Sequence, residues 1–371
     1  VARHLTPVPA ADLTPDHVRA ALAGTAPLAV VPEGPPAVVD AALAALRPDE
    51  PLEPGADLVV VTSGSTGSGR AVLLAASAVE ASAAATHDRI GGRGSWLLAL
   101  PVSSIAGLQV LCRSLLAGTR AEVLGKGEPL AAAVGRMPVG RRYASMVPTQ
   151  LRRHLDDDLD ALRSLDAVLV GGAATDPALL DRARAAGVPV VTTYGMTETA
   201  GGCVYDGRPL DGVRVRVTDG VELAGPTLAL GYRLDPAATE AAFAGGWFRT
   251  RDAGALDADG RLTVAGRLDD VVISGGVNVA PAAVEAALRE HPDVADAVVF
   301  GRPDAEWGQR VVAAVVPAPG AAPDLGPLRE WVAGRLGRAA APRQLHVLDA
   351  LPLLHTGKPD RRAVAALTPE V

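Results

Sequence analysis

The chain has 371 residues, room for two to three domains at ~150 residues each, with a net charge of −7 and 49% apolar residues. That charge argues against a protein that coats nucleic acid, and no run of ~18 apolar residues offers a membrane span. Two cysteines, Cys112 and Cys203, allow at most one bridge and point to the reducing cytoplasm, while the first residues lack the basic-then-apolar layout of a signal peptide.

In chain order, Leu58–Val61 predicts a strand, followed by a loop of Gly, Ser and Thr and a short strand at Val72–Leu74. Ser77 is placed to cap a helix running to about Ile90. Trp96–Leu100 predicts a strand, Ile105–Leu116 a helix ended by Gly118, and Tyr143–Val147 a strand stopped by Pro148. Ala167–Val170 runs into Gly171-Gly172, and Asp176 with Pro177 reads as N-cap and first residue of a helix ending at Gly187. Val188–Thr192 is the next strand. This alternation predicts an α/β domain with substantial parallel pairing.

Beyond Gly201 the pattern changes to short strands, Val213–Val217, Val221–Leu223 and Arg261–Val264, with turns at Asp219-Gly220 and Asp259-Gly260. That predicts a small antiparallel β subdomain. After Gly266 come a strand (Val271–Ile273), a Gly-rich loop, a helix (Pro281–Glu290), strands Val294–Phe300 and Arg310–Val316, and a helix (Leu325–Leu336). These predict a small α+β domain. The boundary falls at Arg267–Asp270, dividing the chain into 1–267 and 268–371.

The loop Thr62-Ser63-Gly64-Ser65-Thr66-Gly67-Ser68-Gly69-Arg70 follows a strand. Its glycines admit a close backbone approach, its amides form an anion-binding nest, and Arg70 adds positive charge. The spacing Gly64 to Gly69 matches a P-loop nucleotide triphosphatase, but Arg70 and Ala71 stand where that motif needs Lys and Ser or Thr. The chain has two lysines, Lys126 and Lys358; its other basic residues are arginines.

The loop instead resembles the phosphate loop of the acyl-adenylate-forming enzymes, the family of acyl-CoA synthetases, luciferases and peptide-synthetase adenylation domains. Gly69-Arg70-Ala71 replaces the usual Pro-Lys-Gly. Further stations follow in the family's order: Gly171-Gly172-Ala173-Ala174, Tyr194-Gly195-Met196-Thr197-Glu198, Glu222 to Tyr232, Trp247 to Asp252, Gly266-Arg267-Leu268-Asp269-Asp270, Ser274-Gly275-Gly276-Val277-Asn278 and Thr356-Gly357-Lys358. The resemblance implies a large adenylate-forming domain with a small mobile C-terminal domain, and the cofactors ATP and Mg²⁺ with CoA as co-substrate. It assigns pyrophosphate to Thr62, Ser63, Gly64, Ser65, Thr66, Gly67 and Arg70, and adenine to Gly172, Ala173, Tyr194 and Gly195. It gives the α-phosphate to Thr197, Mg²⁺ to Glu198, the ribose hydroxyls to Asp252 and a nucleotide contact to Arg267. Asp269 becomes the hinge, Gly275 and Gly276 line the thiol path, and Lys358 bridges the acid carboxylate and the α-phosphate.

Within the family, Met146-Val147-Pro148-Thr149-Gln150-Leu151, Gly201 to Val213 and Ile105-Ala106-Gly107-Leu108 resemble members acting on an aromatic dicarboxylic acid. Ser103, Ser104, Gln109, Thr149 and Arg208 are candidate anchors for it, Ser104 standing where the family often has His and Arg208 for the second carboxylate. The seven histidines form no nucleophile–base or metal pattern. The expected partners are a small-molecule acid, ATP and CoA, with neither nucleic acid nor membrane, and a homodimer is left open. A ligase for another aryl or short acyl acid, and a non-catalytic nucleotide-binding homologue, stay as alternatives.

Overall fold

The computed structural model describes residues 3–62, 69–354 and 359–367; Ser63, Gly64, Ser65, Thr66, Gly67 and Lys358 lie outside the described residues. Among the described residues the chain forms five sheets, four from residues up to Arg267 and one from residues beyond it. It is thus a mixed α/β protein with a large N-terminal part and a smaller α+β C-terminal part.

The first sheet has the order Thr6–Pro9, Leu28–Val31, Leu58–Thr62, Arg70–Leu74, Gly231–Tyr232, the first three strands parallel and the rest antiparallel. The second has seven strands: Arg208–Pro209, Gly201–Tyr205, Val190–Met196, Ala167–Gly171, Arg142–Met146, Ser95–Leu98 and Glu122–Val123. The run from Val190–Met196 to Glu122–Val123 is parallel, as alternation with helices requires.

The helix Ile105–Leu116 sits between these two sheets and shows how its sequence does so. Leu108 and Cys112, four residues apart, pack with Val60 and Val72 of the first sheet, while Val110 packs with Trp96, Tyr143 and Leu169 of the second. An apolar helix with two buried faces is what a layer between sheets needs.

The antiparallel subdomain is present, as Arg214–Val217, Val221–Ala224, Trp247–Arg249 and Phe243–Ala244, beside a separate ribbon of Asp252–Leu256 with Leu262–Arg267. The last sheet orders Val277–Val279, Val272–Ser274, Gly308–Pro317 and Val294–Asp304, with Gln344–Val347 along Gly308–Pro317. Alternate residues of its long strand face opposite ways. Ala297 and Val299 pack with the helices Pro281–Arg289 and Leu325–Leu336, while Val298 packs with Leu351 and Val364.

Two expectations need correcting, and one region of the chain adds structure that no prediction covered. The helix Ala76–Arg89 contains Ser77 rather than being capped by it; the Ala76 N–H donates to the carboxylate of Asp57 at 3.0 Å, a cap supplied from across the fold. The strand after Gly187 begins at Val190 and runs through Tyr194, Gly195 and Met196, because it has neighbours on both sides. The region before Leu58 carries two strands and two helices. It is tied to the body by Arg233, a buried guanidinium donating to the carbonyls of Leu46, Arg47, Glu50 and Pro51 and paired with Glu53.

Candidate functional site

A cavity of about 1440 Å³ is walled by strand ends and loops of both parts of the chain. On one side stand Thr62, Arg70, Gly171, Gly172, Gly195, Thr197 and Glu198, drawn from three of the sequence stations. Gly195 has to be glycine here: a Cβ would overlap the backbone of Gly201 and Gly202 on the paired strand. Thr197–Thr199 forms a single 3-10 turn, closed by Ala200 in the left-handed region at φ 49°. Non-glycine residues seldom hold that conformation unless the surroundings enforce it. The Ala200 carbonyl accepts from the Gln109 amide at 2.7 Å, which braces the turn from the neighbouring helix.

Glu198 accepts a hydrogen bond from the Tyr232 hydroxyl on Oε1 at 3.0 Å and has no ion-pair partner among the described residues. The described residues hold no cluster of three His, Cys, Asp or Glu side chains fit for a metal. One carboxylate facing a cavity suits Mg²⁺ carried on phosphate oxygens and water, since that ion keeps much of its hydration. The chemistry of the donor therefore fits Mg²⁺.

Tyr194 and Asp252, 58 residues apart in the chain, meet directly: the tyrosine hydroxyl donates to Asp252 Oδ2 at 2.6 Å. Burial and the Asp252 charge push the phenol pKa up, so the hydroxyl stays a donor. Neither lies on the cavity wall, whereas Thr250, Arg251, Arg267 and Asp269 around them do. Arg267 grips both oxygens of Asp269 at 2.9 and 3.0 Å, and its Nη1 is 3.8 Å from Asp252 Oδ1. Arg251 adds a third contact to Asp269 at 3.3 Å. The Asp269 carboxyl is held below the usual range by these guanidinium contacts, against an opposing push from burial.

The acyl side is formed by the helix Ile105–Leu116 and the strand ends near it. Ser103, Ser104 and Gln109 line the cavity as expected. Ser104 has a local task too: it is the N-cap, accepting from the Gly107 N–H at 3.2 Å. Two expected anchors are not there. Thr149 is exposed in the first turn of the helix Pro148–Asp157, and Arg208 is exposed on an edge strand, where its carbonyl accepts from Arg89. Neither lines the cavity. Thr149 sits at the exposed start of its helix, and the two-residue edge strand leaves the Arg208 side chain in solvent.

The basic residue on this wall is Arg113, which sequence reasoning passed over. It is 3% exposed, its Nη2 stands 3.5 Å from the Tyr205 hydroxyl, and its guanidinium carbon lies 5.0 Å from the Trp96 ring centre. Its Nε has no hydrogen-bond partner, and no carboxylate of the described residues pairs with it. A buried cation without a counter-ion is costly to keep, which makes Arg113 a candidate for binding an anionic group. The signal was in the spacing: Ile105, Gln109 and Arg113 recur every four residues on one helix face, and all three line the cavity. Nearby His87 accepts from the Trp96 indole N–H at 3.1 Å; burial, and next Arg113, push its pKa down to about 4.

The C-terminal part supplies Val271, Val272, Phe300, Pro359, Asp360 and Arg361 to the same wall. The residues flanking 355–358 are pinned: Leu353 bridges Pro359, and the Asp360 N–H donates to the Pro352 carbonyl at 2.8 Å. Arg361 pairs with buried Glu285 at 2.7 Å and donates to the Val299 carbonyl at 2.7 Å. Gly275 and Gly276 are off that wall, lining with Ile273, Trp307 and Gly308 an adjoining shallow depression that shares Val271 and Gln309 with it.

Comparison with known proteins gives three kinds of match. A family profile described as AMP-binding enzyme matches residues 10–228, and one described as AMP-binding enzyme C-terminal domain matches residues 283–358. A probable 2-succinylbenzoate–CoA ligase of Mycobacterium tuberculosis is 49% identical over 334 residues, 87% of each chain. The structure is similar to o-succinylbenzoate CoA synthetase from Bacillus subtilis in complex with its acyl-adenylate intermediate, with TM-score 0.76 and 27% identity, covering 95% of this chain and 81% of that one. The same enzyme in complex with ATP and magnesium ion matches with TM-score 0.76 and 26% identity, covering 95% and 82%.

Proposed function

The chain belongs to the AMP-binding enzyme family, and on that premise we propose that it is an acid–CoA ligase acting on 2-succinylbenzoate, a step of menaquinone biosynthesis. ATP and CoA are its co-substrates and Mg²⁺ its cation.

The chemical problem is that a carboxylate offers a thiol no adequate leaving group. In the first step a carboxylate oxygen of the acid attacks the α-phosphorus of ATP. The bond to the bridging oxygen breaks, giving acyl-AMP and pyrophosphate. In the second step the CoA thiol attacks the acyl carbonyl and loses its proton, and AMP leaves. Mg²⁺, when bound, neutralises phosphate charge as it develops. Glu198 would hold that ion, and Arg70 and Thr62, which line the same cavity, would meet the departing pyrophosphate. Thr197 contacts the α-phosphate, Gly172 the adenine and Arg267 the ribose end; the paired Tyr194 and Asp252, which lie behind the cavity wall here, must turn toward it to take the adenine and the ribose. Lys358 delivers its ammonium to the carboxylate and α-phosphate, a point charge that a planar guanidinium would supply less well. Residues 1–267 and 268–371 act as the two bodies, with Asp269 as pivot. Rotation there withdraws Lys358 and brings Gly275 and Gly276 to the thiol path. The placement of Pro359 and Asp360 on the main cavity, with Gly275 and Gly276 off it, supports an arrangement set for adenylation.

The observation that carries the choice of acid is the buried, unpaired guanidinium of Arg113 at the acyl end. An acid with a second carboxylate gives that cation the counter-charge it lacks; a fatty acid would leave it uncompensated. The ring carboxylate of 2-succinylbenzoate is the group so held, while the succinyl carboxylate is activated. Both cysteines are buried free thiols, which supports a cytoplasmic location. The test is CoA-thioester formation across 2-succinylbenzoate, benzoate, short aryl acids and fatty acids. The reading expects 2-succinylbenzoate to be preferred, and a better short acyl or aryl monocarboxylate would replace it.

A further inference from the structure

Tyr232 belongs to a two-residue strand beside Arg70–Leu74, where Gly231 opposes Leu73 and Tyr232 opposes Val72. Its ring is 7% exposed, packs edge-on against Phe243 at 5.9 Å, and has the Arg70 guanidinium carbon 5.1 Å from its centre. Its hydroxyl donates to Glu198 Oε1 at 3.0 Å and also lies within the influence of the Arg70 guanidinium. One side chain therefore touches both the cation at the end of the phosphate loop and the acid that faces the cavity. Arg70, Glu198 and Tyr232 all line that cavity.

A lone carboxylate ligand has a soft terminal torsion, broad and roughly two-fold. With a single such ligand from the protein, any swing of that torsion moves the whole protein contribution to the ion. A donor on Oε1 fixes the plane and leaves Oε2 for the cation. We propose that Tyr232 is a positioning residue: it orients Glu198 for the divalent cation carried by the nucleotide, and through its stacked ring ties that carboxylate to Arg70.

The inference rests on the reading of the cavity as a site for ATP with a divalent cation, but not on which acid is used. The test is calorimetric binding of ATP to the full chain, once with Mg²⁺ and once with EDTA, in wild type and Tyr232→Phe. The phenylalanine keeps the ring against Phe243 and Arg70 and removes only the hydroxyl. The expected result is Mg²⁺-ATP binding weakened about tenfold, with EDTA-ATP binding unchanged within about twofold. The Mg²⁺ concentration for half-maximal pyrophosphate release should rise in step, and the KM for the acid should not. Equal affinities of the two proteins for Mg²⁺-ATP would overturn the proposal. So would parallel losses with Mg²⁺ and with EDTA alongside a lowered Tm, since that is the mark of a merely structural tyrosine. As a second variant, Glu198→Gln in both backgrounds should abolish the difference between Tyr and Phe; a difference that persisted would also overturn it. Wild type that binds no Mg²⁺-ATP at all would instead sink the reading of the site.

Discussion

Arg113 and Arg208 make opposite predictions about one substrate. Arg113→Ala should raise the KM for 2-succinylbenzoate at least about tenfold, the cost of losing a charge-assisted hydrogen bond, and leave the KM for ATP nearly unchanged. An analogue without the ring carboxylate should react poorly with wild type and be insensitive to the substitution. Arg208→Ala, on the exposed edge strand, should change neither KM. Steady-state kinetics on the two variants decide the matter; a reversed pattern would return the role to Arg208. Gln109 predicts a different kind of loss. It is fully buried, and its amide donates to the carbonyls of Ala200 and Val79. Gln109→Leu leaves the Ala200 carbonyl unsatisfied, while the Val79 carbonyl keeps its bond within the helix Ala76–Arg89, and should cost about 1–3 kcal/mol in urea unfolding. Because Ala200 closes the turn that bears Thr197 and Glu198, kcat should fall as well. Full kcat with reduced stability would show that the brace does not reach the turn.

The helix Ala76–Arg89 starts without a local cap because Asp57 supplies one from the loop before Leu58. Asp57 also pairs with Arg3 at 3.0 Å. Asp57→Ala should therefore lower stability by about 1–2 kcal/mol, read as a drop in Tm; an unchanged Tm would mean water replaces the cap at no cost. At the far end of that helix, His87 predicts a pH dependence. Its folded pKa, about 4, lies below its ordinary 6.5, so the unfolded chain takes up the proton first as pH falls. Its contribution is complete above pH 6.5 and is lost progressively as the pH drops toward 4. The stability difference between wild type and His87→Gln should shrink across that window; a difference independent of pH would contradict the assignment. These cases show what the sequence could and could not reveal. Patterning located the helix Ile105–Leu116 to the residue, and most strands to within two, since burial imposes period and length locally. The cap at Ser77 was misread because the real acceptor lies 19 residues upstream. The strand through Tyr194 outran its apolar stretch because two neighbouring strands, not side-chain pattern, extend it. The stations assigned to the nucleotide are contiguous motifs, and Thr62, Arg70, Gly172, Thr197, Glu198 and Arg267 from them line one cavity. The acyl wall was not legible in this way, because its residues are gathered from separate elements and only the four-residue recurrence of Ile105, Gln109 and Arg113 marks it.

At the scale of the whole molecule, the account requires one chain to present two chemistries at one cavity in turn. Lys358→Ala should abolish acyl-adenylate formation while CoA attack on supplied acyl-AMP continues; equal loss of both half-reactions would contradict the lysine's role. Asp269→Pro fixes φ near −65° and removes the carboxylate held by Arg267 and Arg251. It should spare adenylation and impair thioester formation, and normal rates of both would exclude Asp269 as the pivot. The central claim, that this cavity activates an aromatic dicarboxylate as its adenylate, is tested most directly with CoA left out. Incubated with ATP, Mg²⁺ and 2-succinylbenzoate, the protein should accumulate the acyl-AMP and an equal amount of pyrophosphate by mass spectrometry and coupled assay. The adenylate should then convert to thioester when CoA is added. Pyrophosphate release with a medium-chain fatty acid about a hundredfold more efficient, equivalent to roughly 2.7 kcal/mol in transition-state binding, would contradict the assigned acid. No adenylate with any acid would contradict the activity itself.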